Sequence, residues 1–308
     1  MPGKAKTLGE LRASGYKPLT IREEIRNNLI CKIQNGDELF PGIIGFDDSV
    51  IPQLENAILA GQDIILLGER GQAKSRLIRH MVSLLDEEVP VMDRCELNCD
   101  PFEPICAECK AILNEHGDDA GVSWLHRDER YSEKLATPDI TVADLIGEVD
   151  PIKVAEGRYL SDELTIHYGL IPRTNRGIFC INELPDLSER IQVSLFNLMQ
   201  ERDIQIKGYR IMLPLDVFLV STANPEDYTN RGRIITPLKD RYGAQIRTHY
   251  PRSLDEEMGI VEQEYSNFED TQSRVRVPQY MKEIIAEFTS LARRSPDMVC
   301  SLKEVMRT

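Results

Sequence analysis

Gly68-Glu69-Arg70-Gly71-Gln72-Ala73-Lys74-Ser75 is the stretch on which the fold turns. It follows an apolar run, Asp63–Leu67, and precedes a helical pattern over Arg76–Leu85. Strand, glycine loop and helix start together make the setting of a P-loop, a cradle for phosphate. Gly68 and Gly71 let backbone N–H groups turn inward without a Cβ clash, and a helix N-terminus adds partial positive charge. Gln72 and Ala73 complete the loop. Lys74 is spaced to reach β- and γ-phosphates, and the Ser75 hydroxyl to ligate Mg²⁺. Ala73 stands where a second glycine is expected; alanine is the smallest substitute and fits if its φ is negative. The bland alternative is a strand-to-helix turn carrying a surface lysine.

A second element is Gly177-Ile178-Phe179-Cys180-Ile181-Asn182-Glu183, an apolar strand ending in polar residues, in the form of a Walker B strand. Phosphate chemistry needs a carboxylate to hold hydrated Mg²⁺ and a glutamate to activate or orient water. Glu183 suits the second role. The first position is Asn182, whose neutral amide can accept a hydrogen bond from metal-bound water but adds no charge. If that amide limits turnover, Asn182→Asp should raise it. The apolar run Val217–Thr222 leads to Asn224, placed to orient the attacking water or touch the γ-phosphate from a neighbouring strand tip. Asn224-Pro225 also has the chemistry of a plain turn. Arg241, in Pro237–Gly243, is a candidate arginine finger on a neighbour's nucleotide, with surface salt bridging as its ordinary alternative.

The 308 residues allow one large core, or one core and part of a second. A net charge of −14 argues against a general nucleic-acid binder, which needs a basic surface. No apolar stretch reaches membrane-span length, and Met1-Pro2-Gly3-Lys4 lacks the apolar core of a signal peptide, so the expected location is cytoplasmic. Seven cysteines are then expected reduced unless they bind metal. Residues 1–36 read as a polar helical extension, with Leu8, Leu11, Ile21, Ile25 and Leu29 at helical spacing. Turn-rich Phe40–Asp48 leads into a helix Ser49–Ala60, with Ser49 as cap. Val122–Leu125 is a candidate strand, 137–160 and its continuation to Arg176 read as a helix and long connection, and Arg190–Glu201 as a helix. Alternation around Lys207-Gly208 predicts a hairpin over 203–213. Strands alternating with helices predict an α/β fold with a parallel sheet.

Together these stretches resemble AAA+ ATPases of the helix-2-insert clade, most closely the ATPase subunit of magnesium chelatase and MoxR-type relatives. The similarity is carried by Pro41–Gly45, Gly68–Ser75, Asp144–Asp150, 157–170, Arg176–Leu187, 223–226 and Leu238–Gly243, in order over residues 40–250. The resemblance implies a P-loop NTPase core with a five-stranded parallel sheet, a helix-2 insert near 145–170, and a pre-sensor-1 hairpin at 203–213. It divides the chain into an N-terminal extension (1–36), a nucleotide-binding domain (37–250) with a Cys-rich insertion about 93–120, and an incomplete helical lid (251–308). It implies ATP and Mg²⁺ as ligands, with Lys74 and Ser75 on phosphate and Mg²⁺, Glu183 catalytic, Asn224 as sensor 1, and Arg241 as finger with Arg233 in reserve. It implies a ring, usually hexameric, and a possible partner carrying a von Willebrand A domain. No sensor-2 arginine is matched after Arg294.

Cys95-x3-Cys99-x6-Cys106-x2-Cys109 packs four thiols into a polar insertion. A tetrahedral Zn²⁺ needs four such ligands brought together by short loops, with His116 and His126 in reserve. An iron–sulfur cluster, a redox-sensitive thiol pair and free loop cysteines are the other readings. For the whole chain the leading reading is an ATP-hydrolysing motor that remodels or metallates a partner. The alternative is a nucleotide-gated scaffold with little hydrolysis, favoured by Asn182 and the short lid. A sigma-factor-type transcriptional activator shares the broader fold, but the chain has no Gly-Ala-Phe-Thr-Gly-Ala loop.

Overall fold

The computed structural model describes residues 4–149, 165–200, 213–224, 233–266 and 277–294. Its strands are β1 (Ile64–Leu67), β2 (Glu88–Met92), β3 (Val122–His126), β4 (Tyr131–Leu135), β5 (Gly147–Val149), β6 (Ile166–Tyr168), β7 (Gly177–Asn182), β8 (Val217–Ala223) and β9 (Ala244–Arg247). Five of them form one sheet in the order β4-β7-β8-β1-β9. Every pairing in that sheet is parallel. In chain order the spatial sequence is second, third, fourth, first, fifth, so β1, β8 and β7 stand side by side with their carboxyl ends on one edge. Ligands of open α/β sheets bind outside that edge.

The central strands β7 and β8 are buried along their whole length, as expected where helices cover both faces. Period-two alternation sorts their side chains. Ile65, Phe179, Ile181 and Leu219 join one core cluster, and Ile64, Leu66, Ile178, Cys180 and Val220 join the other.

The N-terminal helices are integral to these cores. Helix α1 (Leu8–Ala13) buries Leu8 and Leu11, and α2 (Ile21–Asn35) buries Ile21, Ile25 and Leu29. Leu8 joins the first cluster, while the three residues of α2 pack with β1 and with α3 (Val50–Leu59) in the second. Helix α2 is also clamped electrostatically. Glu24 accepts two 2.6 Å bonds from Arg130, which follows β3.

Several local expectations are revised. Ser49 precedes α3 but makes no side-chain cap; its hydroxyl lies 2.8 Å from His249 Nε2 instead. Val122–Leu125 does form a strand, yet it pairs antiparallel with β2, outside the parallel sheet. Among the described residues of the stretch from 137, the helix is confined to one turn, α6 (Val142–Leu145). A Thr141/Asp144 capping box starts it, and Gly147 at φ 126° turns the chain into β5. β5 pairs antiparallel with β6 at the base of the 145–170 insert. Residues 150–164 and the predicted hairpin, apart from Leu213, lie outside the described residues.

Helices Leu254–Ser266 and Gln279–Arg294 follow the sheet. Lys282 bonds Glu262 across them at 2.7 Å. Among the described residues, no helix is long and apolar enough to cross a membrane.

Candidate functional site

At the carboxyl edge of β1, β8 and β7 lies a cavity of about 520 Å³, within the usual range for a small-molecule site. Its wall contains Gly71, Gln72, Ala73, Lys74 and Ser75 from the loop, Asn182 and Glu183 from β7, and Asn224 after β8. Residues from three separate stretches of chain thus converge. Arg70, Lys74, Arg76, Arg79 and Arg293 line it, against the carboxylates Glu183 and Glu264. In a chain of net charge −14, that local excess of cations suits a polyphosphate.

The loop is built for close approach. A Cβ at Gly68 would collide with Thr248 Oγ1 and Gln72 Oε1. Those two atoms bond at 2.7 Å, fixing buried Gln72 against the residue that follows β9. Gly71 sits at φ 79°. The Lys74 ammonium donates to the carbonyls of Gly68 (2.5 Å) and Glu69 (2.6 Å), which holds it within the loop. Ser75 follows in the first turn of α4 (Lys74–His80). The lining cations, the glycine that admits no Cβ and the lysine over the loop all fit a nucleotide triphosphate.

Ala73 departs from expectation. Its φ is 51° and ψ 16°, a left-handed conformation rather than the negative φ that alanine prefers. The loop imposes the geometry of the missing glycine, at about 1–2 kcal/mol. Ala73→Gly relieves that strain but loosens the unfolded chain, so it should raise stability by about 0.5–1 kcal/mol. Urea unfolding measures this, and an unchanged or lower midpoint would show that the loop does not hold Ala73 strained.

Glu183 stands at the tip of β7 in a left-handed conformation (φ 57°, ψ 50°). Its N–H donates to Thr222 Oγ1 at 3.0 Å. Such strain, kept in place by a neighbouring strand, is typical of a functional position. Asn182 is buried and its amide is hydrogen-bonded at both its oxygen and its nitrogen. Oδ1 accepts from Thr222 Oγ1 at 3.2 Å, while Nδ2 donates to Glu133. Glu133 in turn takes a two-point contact from Arg79 of α4, at 3.0 and 3.2 Å, and a 2.9 Å bond from the Tyr131 hydroxyl. Burial raises the Glu133 carboxyl, but Arg79, Tyr131 and Asn182 outweigh it and hold it below its ordinary range. Asn182 therefore serves as the donor that an ionised Glu133 requires, which an aspartate could not be.

Asn224 is buried at the strand tip, and the adjacent Ala223 carbonyl accepts from the Gly68 N–H at 3.0 Å. Arg241 does not line the cavity; it stacks on Phe196 at 4.8 Å and donates to the Pro237 carbonyl at 2.7 Å. Arg233 is exposed and also lies outside the wall.

Other wall residues carried no local signal. Arg293, from the helix after the sheet, pairs with Glu257 and lies 4.3 Å over the Tyr250 ring. Tyr250 OH bonds the Arg70 carbonyl at 2.8 Å, joining that helix pair to the loop. Glu257 is raised by burial, with Arg293 opposing. His249 donates from Nδ1 to the Tyr250 carbonyl (2.8 Å), which leaves Nε2 to accept from Ser49. With Ile43, Ile44 and Phe46 it forms a less polar end of the cavity.

The four cysteines of the insertion converge elsewhere, outside this cavity. Their Sγ atoms all lie within 4.8 Å of one another. Cys106 caps α5 (Ala107–His116), Cys109 lies in its first turn, and neither His116 nor His126 joins the group. Hydrogen bonds from Cys106, Cys109 and Cys99 pull Cys95 well below the ordinary thiol range. Hydrogen bonding to Cys106 pushes Cys99 and Cys109 well above it.

A family model described as "Sigma-54 interaction domain" matches residues 155–238. "Magnesium-chelatase subunit ChlI homolog" of Methanocaldococcus jannaschii is 26% identical over 254 residues, covering 77% of this chain and 64% of that protein. "Magnesium-chelatase subunit ChlI" of Nephroselmis olivacea is 26% identical over 239 residues, covering 73% and 61%. The chain thus spans just under two thirds of the length of these curated relatives. A cryo-EM-based structure of the complex between subunits BchI and BchD of magnesium chelatase aligns with a TM-score of 0.51 at 21% identity, covering 83% of this chain and 74% of that one.

Proposed function

Because this chain is an AAA+ ATPase related to magnesium-chelatase subunit ChlI and to MoxR-like ATPases, we propose that it binds ATP with Mg²⁺ and hydrolyses it as a ring-forming motor. The work of that motor is to remodel or metallate a partner protein. The observation that carries the reading is the meeting of Lys74, Glu183 and Asn224 in one cation-rich cavity. Ser75 would hold the Mg²⁺, which would supply neutralisation of phosphate charge. Lys74 stabilises charge developing on the γ-phosphoryl oxygens. Glu183 takes a proton from, or orients, the attacking water, and Asn224 fixes that water's direction. Arg293 closes the cavity from the helical side. Arg241 or exposed Arg233 acts on the nucleotide of the neighbouring subunit, which requires a ring. The related BchI structure is in complex with BchD; a von Willebrand A protein is accordingly the partner class we assign here.

Asn182 supports a second reading, a nucleotide-gated scaffold that hydrolyses little. Converting Asn182 to aspartate sets a carboxylate against Glu133 and removes a hydrogen bond to a charged acceptor. The single variant should therefore lose about 1.5–3 kcal/mol of stability and gain no turnover. Asn182→Asp with Glu133→Gln restores one donor and one acceptor, and should recover most of that loss. Chemical denaturation of the three proteins, with ATPase rates alongside, checks both points; a faster, equally stable Asn182→Asp single variant contradicts them.

The function is tested by steady-state ATP hydrolysis and nucleotide affinity of the purified chain, with Lys74→Ala as control. Turnover that disappears in Lys74→Ala establishes a motor. Tight ATP binding without turnover selects the scaffold, and no nucleotide binding refutes both.

A further inference from the structure

We propose that Cys95, Cys99, Cys106 and Cys109 form a structural site for one tetrahedral Zn²⁺, which ties the insertion and helix α1 to the entry of β7. The inference concerns a region apart from the nucleotide cavity and stands without it.

The sulfur geometry selects a single metal ion. The Cys99–Cys106 and Cys95–Cys106 Sγ separations are 3.5 and 4.0 Å. A Zn–S bond of about 2.3 Å in a regular tetrahedron places ligand sulfurs about 3.8 Å apart. A disulfide would need about 2.05 Å. A multi-iron cluster distributes its cysteines over several irons, farther apart than four sulfurs all within 4.8 Å allow. Backbone amides already point at two of the sulfurs. The N–H of Leu97 donates to Cys95 Sγ and that of Cys109 to Cys106 Sγ, both at 3.4 Å. Asn98, between the first pair, takes the left-handed conformation at φ 48° that folds a short cysteine turn back on itself. Three of the four cysteines are buried and no histidine or carboxylate belongs to the group. Four thiolates with no open position describe a structural rather than a catalytic site.

The contacts of the insertion say what such an ion holds together. The Leu97 carbonyl accepts from Asn175 Nδ2 at 2.9 Å. Asn98 Nδ2 donates to the Arg173 carbonyl at 2.9 Å, and Asp100 pairs with Arg176 at 3.4 Å. These partners immediately precede β7, the strand whose end is followed directly by Glu183. On the other side, the Leu8 N–H donates to the Ala120 carbonyl at 3.0 Å, and the Val122 N–H to the Lys6 carbonyl at 2.9 Å. Leu8 packs in the same core cluster as Cys99, Cys106 and Cys109. The large apolar residues of the insertion, Leu97, Phe102, Ile105, Ile112 and Leu113, belong to or pack on the main core cluster rather than a core of their own, so a metal supplies the local order.

Elemental analysis of the full chain, purified without a metal-affinity step, is expected to find about one zinc per chain. Cys99→Ser and Cys109→Ser should lose it, while exposed Cys31→Ser keeps it. If the serine variants do not fold, chain produced in cobalt-supplemented medium gives a second reading: it should show the ligand-field and charge-transfer bands of tetrahedral cobalt tetrathiolate. Hydrogen exchange should then find α1 and residues 173–176 deprotected in the metal-free variants. Metal-free wild-type chain, zinc retained by the Cys99 and Cys109 variants, iron in place of zinc, or a cobalt spectrum without sulfur ligands would each overturn the site. Metal loss that leaves α1 and 173–176 protected would overturn the tie.

Discussion

ATP hydrolysis by Glu183→Gln should fall about 10²–10⁴-fold below that of the unsubstituted chain, with MgATP affinity kept. Glutamine preserves the size of the side chain and its hydrogen-bonding reach but cannot take a proton from water. The backbone that aims Glu183 is fixed by its own neighbours. Its N–H is bound by Thr222 of β8 at 3.0 Å, and the residue is held in a left-handed turn that the end of β7 dictates. The substitution therefore changes chemistry with little change of position. Single-turnover hydrolysis beside equilibrium nucleotide binding separates the two effects. A variant that retains more than about a tenth of wild-type turnover would remove Glu183 from the reaction. Reduced binding with unchanged turnover would make it a ligand contact only.

The largest expected loss of stability lies far from the nucleotide. Arg130 and Glu24 have side chains 0% and 4% exposed, joined by two 2.6 Å bonds. Arg130 Nε also donates to the Arg176 carbonyl at 2.8 Å, and Glu24 accepts the Asp86 N–H at 2.7 Å. Glu24→Ala leaves a guanidinium in the interior with no counter-charge, and should cost about 3–5 kcal/mol. A pair of such depth is not itself strongly stabilising, because desolvation offsets most of its attraction. Glu24→Ala combined with Arg130→Met should accordingly recover a large part of the loss. Urea unfolding of the two single variants and the double variant makes the test. Equal and additive losses would show that the charges are not coupled.

Glu24 and Arg130 are 106 positions apart, and nothing local in either stretch announces the partner. That is why residues 1–36 read as an extension: periodicity reveals that α2 has an apolar face, but not what that face is buried against. The same limit explains Glu133, which carries no local signal and meets Asn182 only because the sheet sets β4 beside β7. It explains Arg293 too, at the far end of the helix Gln279–Arg294, which reaches the cavity only because that helix packs over Tyr250.

Short-range chemistry is written in the chain itself. The strand–loop–helix order around Gly68–Ser75, the buried parallel strands β7 and β8, the polar tips Glu183 and Asn224, and the compact spacing of four cysteines follow from residue type and period. Tertiary structure alone decided the rest. It chose which strands are neighbours, and so which polar tips share a cavity; it forced Ala73 to the φ of the absent glycine; and it gave Asn182 to Glu133. It also brought the cysteine pairs to one point. Local sequence limits the conformations a segment can adopt, but contacts between distant segments form only when the whole core closes, and their partners are chosen by packing rather than by proximity in the chain.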